Sequence, residues 1–514
     1  MRRRSVLAAA AAVLAAPRIA RGAATRVLRF LPRADPGLLD PVADPRAEVA
    51  DAALLVWDTL YGVDSRLEPR PQMCAGHEAS DDRKTWTFRL RPGLVFHDGT
   101  PVRAADVVAS LHRWMARDRM GGAIRTRLDA LDAIDERSVR FRLRAPFGPM
   151  LYALGKSSPP LAVIMPERLA RTDAAVPVAD IVGSGPLRLR ADEWRPGSRV
   201  VFERFDRYAL RDEAADWLAG GKRVLFERIE WSILPDPAQA ADALQNGDGD
   251  WWAAPSADLV PVLKRNRNLL VDIADPLGRV GMVRLNRARS PFDDARVRRA
   301  VLHTISQDAC MVAITGGDDA LWRRMDGVFT PNTPFAAAAG TPDALAGVEA
   351  VGAGDPDAAR RAVADANAVG THTVVVCPMD SGARAQARVL AAALTRLGFS
   401  GEVQAITPSA LAARLATPDG WNLYAYSVDG AEAATPASTA LAGDDGLSLA
   451  EAQSGWFDAT GADTGAAAAA VNRAVLADAT SIPTGQFLRY QAWRTTLSGI
   501  TRAPFPMVWG VQKT

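Results

Sequence analysis

Three cysteines in 514 residues, Cys74, Cys310 and Cys377, are too few and too widely spaced for a disulfide scaffold or a zinc motif. An odd number in an exported chain leaves at least one thiol free, and a core of this size needs no covalent staple. The five histidines (His77, His97, His112, His303 and His372) are also scattered, with no pair at metal-ligand spacing. Hydrolase signatures are missing: there is no Gly-x-Ser-x-Gly, no His-Glu-x-x-His and no Cys/His pairing at protease spacing. Charge of one sign is missing too. The net charge of +2 comes from residues 1–22, which hold five arginines and no acid; without them 56 basic side chains face 59 acidic ones. That balance argues against a nucleic-acid partner or a polybasic membrane surface. Beyond the N-terminus no run is apolar enough to span a bilayer.

What is present begins with an address. Residues 1–24 combine a basic start, an apolar run Val6–Ala16 and small residues at Ala20–Ala24, the pattern of a cleaved export signal. Arg3-Arg4-Ser5-Val6-Leu7 looks like a twin-arginine signal. No cysteine follows the apolar run, so no lipid anchor is expected and the mature protein should be soluble in the periplasm. The length exceeds a single core and predicts two or three domains.

Residues 81–113 carry the most specific wording. Trp86, Phe88 and Leu90 alternate with polar neighbours as in a half-buried strand, and Pro92-Gly93 and Asp98-Gly99 turn the chain. A helix is expected over Ala104–Arg113, with Val107, Val108 and Leu111 on its apolar side. Further on, the patterns predict strands at Arg26–Leu31, Leu187–Trp194, Val200–Phe205, Leu225–Leu234, Val280–Asn286, Thr373–Val376 and Glu402–Ile406. Helices are expected at Glu48–Leu60, Asp236–Leu244, from Ser290 through Ile305, from Asp355-Pro356, and at Ala383–Leu397. Residues 335–354, rich in Ala, Gly and Asp, read as a loose surface segment. Alternating strands and helices imply an α/β chain with mixed, partly parallel sheets.

The run from Trp86 through Ser110 (WTFRLRPGLVFHDGTPVRAADVVAS) closely resembles the marker segment of the family 5 extracellular solute-binding proteins, the peptide, oligopeptide and nickel receptors of ABC importers. Other stretches resemble the same family, among them Leu39-Asp40-Pro41, Val56–Gly62, Gly183-Ser184-Gly185-Pro186, Asp248–Trp252, Pro291–Ala300 and the tail from Ile482 through Trp509. The resemblance implies a two-lobed, type II periplasmic binding protein with an inserted subdomain in lobe I and a two-crossing hinge. After a signal at 1–23, lobe I would cover 24–275 with its insert at about 45–183. Lobe II would cover 276–479, and 480–514 would return to lobe I. The implied partners are a small-molecule or peptide ligand and the permease subunits, with no cofactor and no nucleic acid, and the chain would act as a monomer.

A binding protein needs shape and a few fixed polar groups rather than a nucleophile. Trp251 and Trp252, adjacent on a strand, should face opposite ways, so one of them is a candidate cleft residue. The stretch Trp421 to Gly430 reads as a strand running into a loop, offering Trp421, Tyr424, Tyr426 and Asp429. Resemblance to peptide-binding relatives implies that Asp429 pairs with a ligand α-amino group. Where dipeptide-binding members carry an arginine for the ligand carboxylate, this chain has Cys377, and a nearby aromatic is replaced by Met379. Arg279 is the cation nominated in its place. The implied function is capture of a peptide-like or other small organic solute for an ABC importer. The alternatives are a secreted hydrolytic enzyme and a sensor presenting ligand to a membrane receptor.

Overall fold

The computed structural model describes residues 26–346, 349–438, 441 and 447–514; the expected export signal lies outside them. Strand Val27–Leu31 buries Leu28, Phe30 and Leu31 and sits at the centre of a seven-stranded sheet. It pairs in parallel with Arg228–Ser232 on one side and Trp251–Trp252 on the other. Antiparallel strands extend both flanks, Arg199–Arg204 and Leu187–Leu189 on one, Gln491–Arg494 and Leu269–Asp272 on the other. A second sheet has six strands in the order Trp322–Arg323, Ser481–Phe487, Arg279–Leu285, Leu423–Asp429, His372–Pro378, Ser400–Ile406. His372–Pro378 is parallel to both its neighbours, which makes this sheet mixed as well. A third sheet, four antiparallel strands between Cys74 and Leu143, carries the marker segment.

Local signals place most elements. Helix Pro237–Asn246 starts on an Asp236 side chain that accepts from the Ala238 N–H and ends at Gly247, whose φ of 89° suits a residue without Cβ. Helix Pro356–Asp365 starts the same way on Asp355. Residues 335–354 depart from expectation, because helices Pro334–Ala339 and Pro342–Leu345 occupy part of them. Each follows a Thr-Pro pair, a start signal hidden by the Ala/Gly composition, and Phe335 packs edge-on against Trp456 at 5.7 Å. Helix 48–60 stops early, at Val56, because the Val56 carbonyl accepts from the Gly185 N–H at 2.8 Å. The expected strand 187–194 ends at Leu189 in a turn of 3-10 helix.

The marker residues are architectural. The His97 backbone N–H donates to the Gly183 carbonyl at 2.8 Å, and its ring Nε2 lies 3.0 Å from the Gly185 carbonyl oxygen. A Cβ on Gly183 would fall 2.0 Å from the Val56 carbonyl oxygen, so two distant turns and a helix end interlock where only glycine fits. Burial pushes His97 down to about 4. Asp40 is buried and accepts from Arg113 Nη1 at 3.0 Å and Nη2 at 2.8 Å, and from the backbone N–H groups of Val42, Ala43 and Val178. These bonds hold the Asp40 carboxyl below the usual range although burial opposes them.

The chain passes between the two larger sheets twice, over residues 273–278 and 488–490. Strand Ser481–Phe487 stays with the second sheet, so the return follows Phe487 rather than residue 480. The passages touch. Gly278 has φ 53°, and a Cβ there would lie 2.4 Å from the Phe487 carbonyl oxygen. Gln486 Nε2 donates to the Leu277 carbonyl at 2.8 Å, and the Gly430 N–H donates to that of Gly278 at 2.7 Å. Elsewhere the third-sheet region meets helix Leu447–Asp458. Phe147 stacks on Phe457 with centroids 5.4 Å apart, and Arg127 pairs with Asp458 at 2.8 Å. Among the described residues no helix is long and apolar enough to cross a membrane.

Candidate functional site

The two passages bring the C-terminal end of strand Val27–Leu31 against the C-terminal end of strand Leu423–Asp429. Ligands in open α/β sheets bind at such strand ends, where loops from separate elements converge. A crevice opens there, lined by Arg33, Asp51, Ser158, Asp275, Asp429 and Phe505 among others. It is narrow, about 20 Å³, room for roughly one water molecule.

Its walls are charged. Arg33 Nη2 donates to Asp51 Oδ2 at 2.9 Å. Burial pushes the Asp51 carboxyl up to about 7 against the pull of Arg33, with Glu48 and Asp429 adding repulsion. Asp51 and Asp429 raise Arg33 in turn, against its own burial. Burial likewise moves Asp275 up to about 6, although its Oδ1 accepts from the Leu277 and Gly278 N–H groups at 2.9 and 3.0 Å. On the neighbouring strand of the same sheet Arg279 stands in register with Asp429. Its Nη1 donates to Asp429 Oδ1 at 2.6 Å, its Nε to Ser427 Oγ at 3.0 Å and its Nη2 to the Ser427 carbonyl at 2.9 Å. Among the described residues Asp429 Oδ2 has no hydrogen-bond partner. Such a constellation recognises charge by charge-assisted hydrogen bonds. Among the described residues no group of three or more His, Cys, Asp or Glu side chains is placed to hold a metal ion.

Of the nine residues nominated from sequence, the structure brings Arg279 and Asp429 together at the crevice. Trp251 and Trp252 do face opposite ways, but into two cores. Trp251 packs edge-on against Phe30 at 5.4 Å and donates to Gln491 Oε1, while Trp252 packs among Leu31, Leu244, Leu263 and Leu269. Neither lines the crevice, because their strand lies inside a sheet covered on both sides. Trp421 is buried against Val376 and Leu411 with its Nε1 on the Thr417 carbonyl. Cys377 is fully buried on the face that carries Val283, Leu423 and Ala425 against helix Ser381–Arg396, and burial raises its thiol. Tyr424 and Tyr426 stack at 4.3 Å on the opposite face of the sheet, half-buried, and Met379 is 55% exposed at the end of its strand. All three cysteines are free and buried.

Arg33, Asp51 and Asp275 were not nominated. Arg33 had a usable signal, as it follows the first strand within two residues; Asp51 sits inside a helix and showed none. Asp275-Pro276 lies on the first passage, where the expected hinge could have pointed to it.

Comparison with known proteins agrees with this geometry. The family model for bacterial extracellular solute-binding proteins, family 5 middle, matches residues 68–443. A probable peptide ABC transporter periplasmic-binding protein of Sinorhizobium fredii is 31% identical over 499 residues, covering 93% of this chain and 91% of that protein. The periplasmic binding protein DppA of Helicobacter pylori, solved with the peptide STSA, superposes with a TM-score of 0.77 at 19% identity, covering 95% of this chain and 98% of that one. AgaA from A. tumefacien R10, solved with agropinic acid, gives 0.76 at 19% identity, covering 95% and 99%. The fold is therefore that of the two-lobed, type II periplasmic binding proteins.

Proposed function

The chain belongs to the bacterial extracellular solute-binding proteins, family 5, and we propose that it captures a peptide-like or other small organic solute in the periplasm and delivers it to the permease of an ABC importer. The family binds solutes and is not one of enzymes. One observation carries the reading of the site: Arg33, just past the first strand, and Asp51, on the helix Ala47–Val56, line one crevice with Asp429, which Arg279 holds on the neighbouring strand of the second sheet.

In this reading lobe I comprises residues 24–275 with its insert at about 45–183, and lobe II begins at 276 and continues through strand Ser481–Phe487 before the return. The lobes part about residues 273–278 and 488–490, since a crevice of about 20 Å³ admits a solute only by opening. Asp429 Oδ2 accepts from a cationic group of the solute, and Arg279 behind it holds the carboxylate in place. Trp251, Trp252, Trp421 and Cys377 serve the cores.

A thermal-shift screen over short peptides, opines and amines tests this. A solute at a hundredfold excess over its Kd adds about 2.7 kcal/mol, a rise of several degrees for lobes of this size. Folded protein that responds to no class, and that releases no solute to mass spectrometry on gentle denaturation, refutes the proposal.

A further inference from the structure

Sequence reading nominated Arg279 as the cation for a ligand carboxylate, but that guanidinium is already committed. Its three contacts go to Ser427 Oγ, the Ser427 carbonyl and Asp429, and turning it to a ligand would strip the acid beside it. Arg33 is committed to Asp51 in the same way.

A third arginine reaches the place without such a commitment. Strand register sets Phe487, Arg279 and Asp429 side by side across three neighbouring strands. Arg489 stands two residues past Phe487, on the second passage, with its guanidinium 5.6 Å from the centre of the Phe487 ring. Ring stacking orients a guanidinium while leaving its edge N–H groups for a partner. The side chain is exposed, and among the described residues it makes no hydrogen bond or ion pair. Desolvation, with repulsion from Arg279 and Arg33, pushes it down to about 10, although the side chain is exposed to solvent.

Resting on the solute-binding reading above, we infer that Arg489 is the anion-recognising residue of this cleft and that the solute carries a carboxylate. The cleft then offers a fixed acceptor, Asp429 Oδ2, and a forked donor, Arg489, on opposite sides of the committed Arg279. A solute bearing both an ammonium and a carboxylate group matches that order, and the guanidinium takes the carboxylate through two parallel N–H bonds. The arginine that Cys377 replaces is thereby supplied from the hinge rather than from the strand His372–Pro378.

Calorimetry on the full mature chain with short peptides, each as the free acid and as its C-terminal amide, tests the assignment. Wild type should bind the acids about tenfold or more tightly than the amides. Arg489→Gln should lose that preference by weakening acids alone, and Arg489→Lys should restore part of it. As an exposed residue, Arg489 can be replaced without unfolding the chain, which circular dichroism verifies. Equal binding of acids by wild type and Arg489→Gln, or equal binding of acids and amides by wild type, overturns the inference and leaves the solute-binding reading standing. A wild type that binds neither series and yields a solute without a carboxylate to mass spectrometry overturns the inference alone; one that binds neither and yields no solute of any class overturns both.

Discussion

Closure of the two lobes has a second contact point, made by residues outside the hinge passages, whose removal should be felt in affinity. Phe147 is fully buried against Phe457, with ring centroids 5.4 Å apart and planes 20° from parallel. Arg127 lies 5.5 Å over the Phe457 ring and donates to Asp458 Oδ1 at 2.8 Å. An aromatic pair contributes about 0.5–1.5 kcal/mol beyond area burial. The ion pair contributes less than about 1 kcal/mol, because the Asp458 side chain is 47% exposed. Phe457 keeps its contact with Trp456 at 5.2 Å within its own helix, so only part of its burial belongs to closure. The double variant Phe457→Ala, Asp458→Asn should therefore cost the closed state about 2 kcal/mol, roughly a thirtyfold change in the closing equilibrium. If the unliganded lobes are mostly open, the whole factor appears as a raised Kd in calorimetry. If they are mostly closed, small-angle scattering records a larger radius of gyration without solute. A folded variant that leaves both quantities unchanged refutes the role of this contact.

Other residues make separate predictions. Arg113→Met strands the Asp40 carboxylate, since both side chains are 1% exposed; it should cost about 3–5 kcal/mol, read as a lower guanidinium midpoint at unchanged slope. An unmoved midpoint would show that the pair is idle. His97 shifts from 6.5 to about 4 on folding, so the unfolded chain takes up its proton first. Stability should therefore fall as pH drops from 6.5 towards 4, by up to about 3 kcal/mol, and His97→Gln should flatten that slope in urea titrations. Identical slopes would contradict the assignment. Asp429→Asn keeps an acceptor but loses the charge, and should weaken an ammonium-bearing solute roughly tenfold to a hundredfold in calorimetry. Unchanged affinity would remove Asp429 from the site.

What could be read without coordinates was whatever acts over short spans. The Asp236 and Asp355 caps and the Gly247 stop follow from backbone groups satisfied within a turn. The marker wording of residues 86–110 pointed to the right family, and in the fold its His97 locks onto Gly183 and Gly185. Arg279 and Asp429 were both legible as strand-end residues, but not as each other's partner. Tertiary structure decided the rest. Period-two alternation says that Trp251 and Trp252, or Cys377 and its neighbours, point opposite ways; it does not say which side is covered. Only sheet order put both tryptophans into cores and turned Cys377 towards a helix. Arg33, Asp51, Asp275 and Arg489 come from four segments spread over more than four hundred residues of chain. The first three line one crevice and Arg489 stands on the second passage between the sheets, because long-range strand pairing sets two sheet ends against each other, and capping and periodicity act over too few residues to encode that.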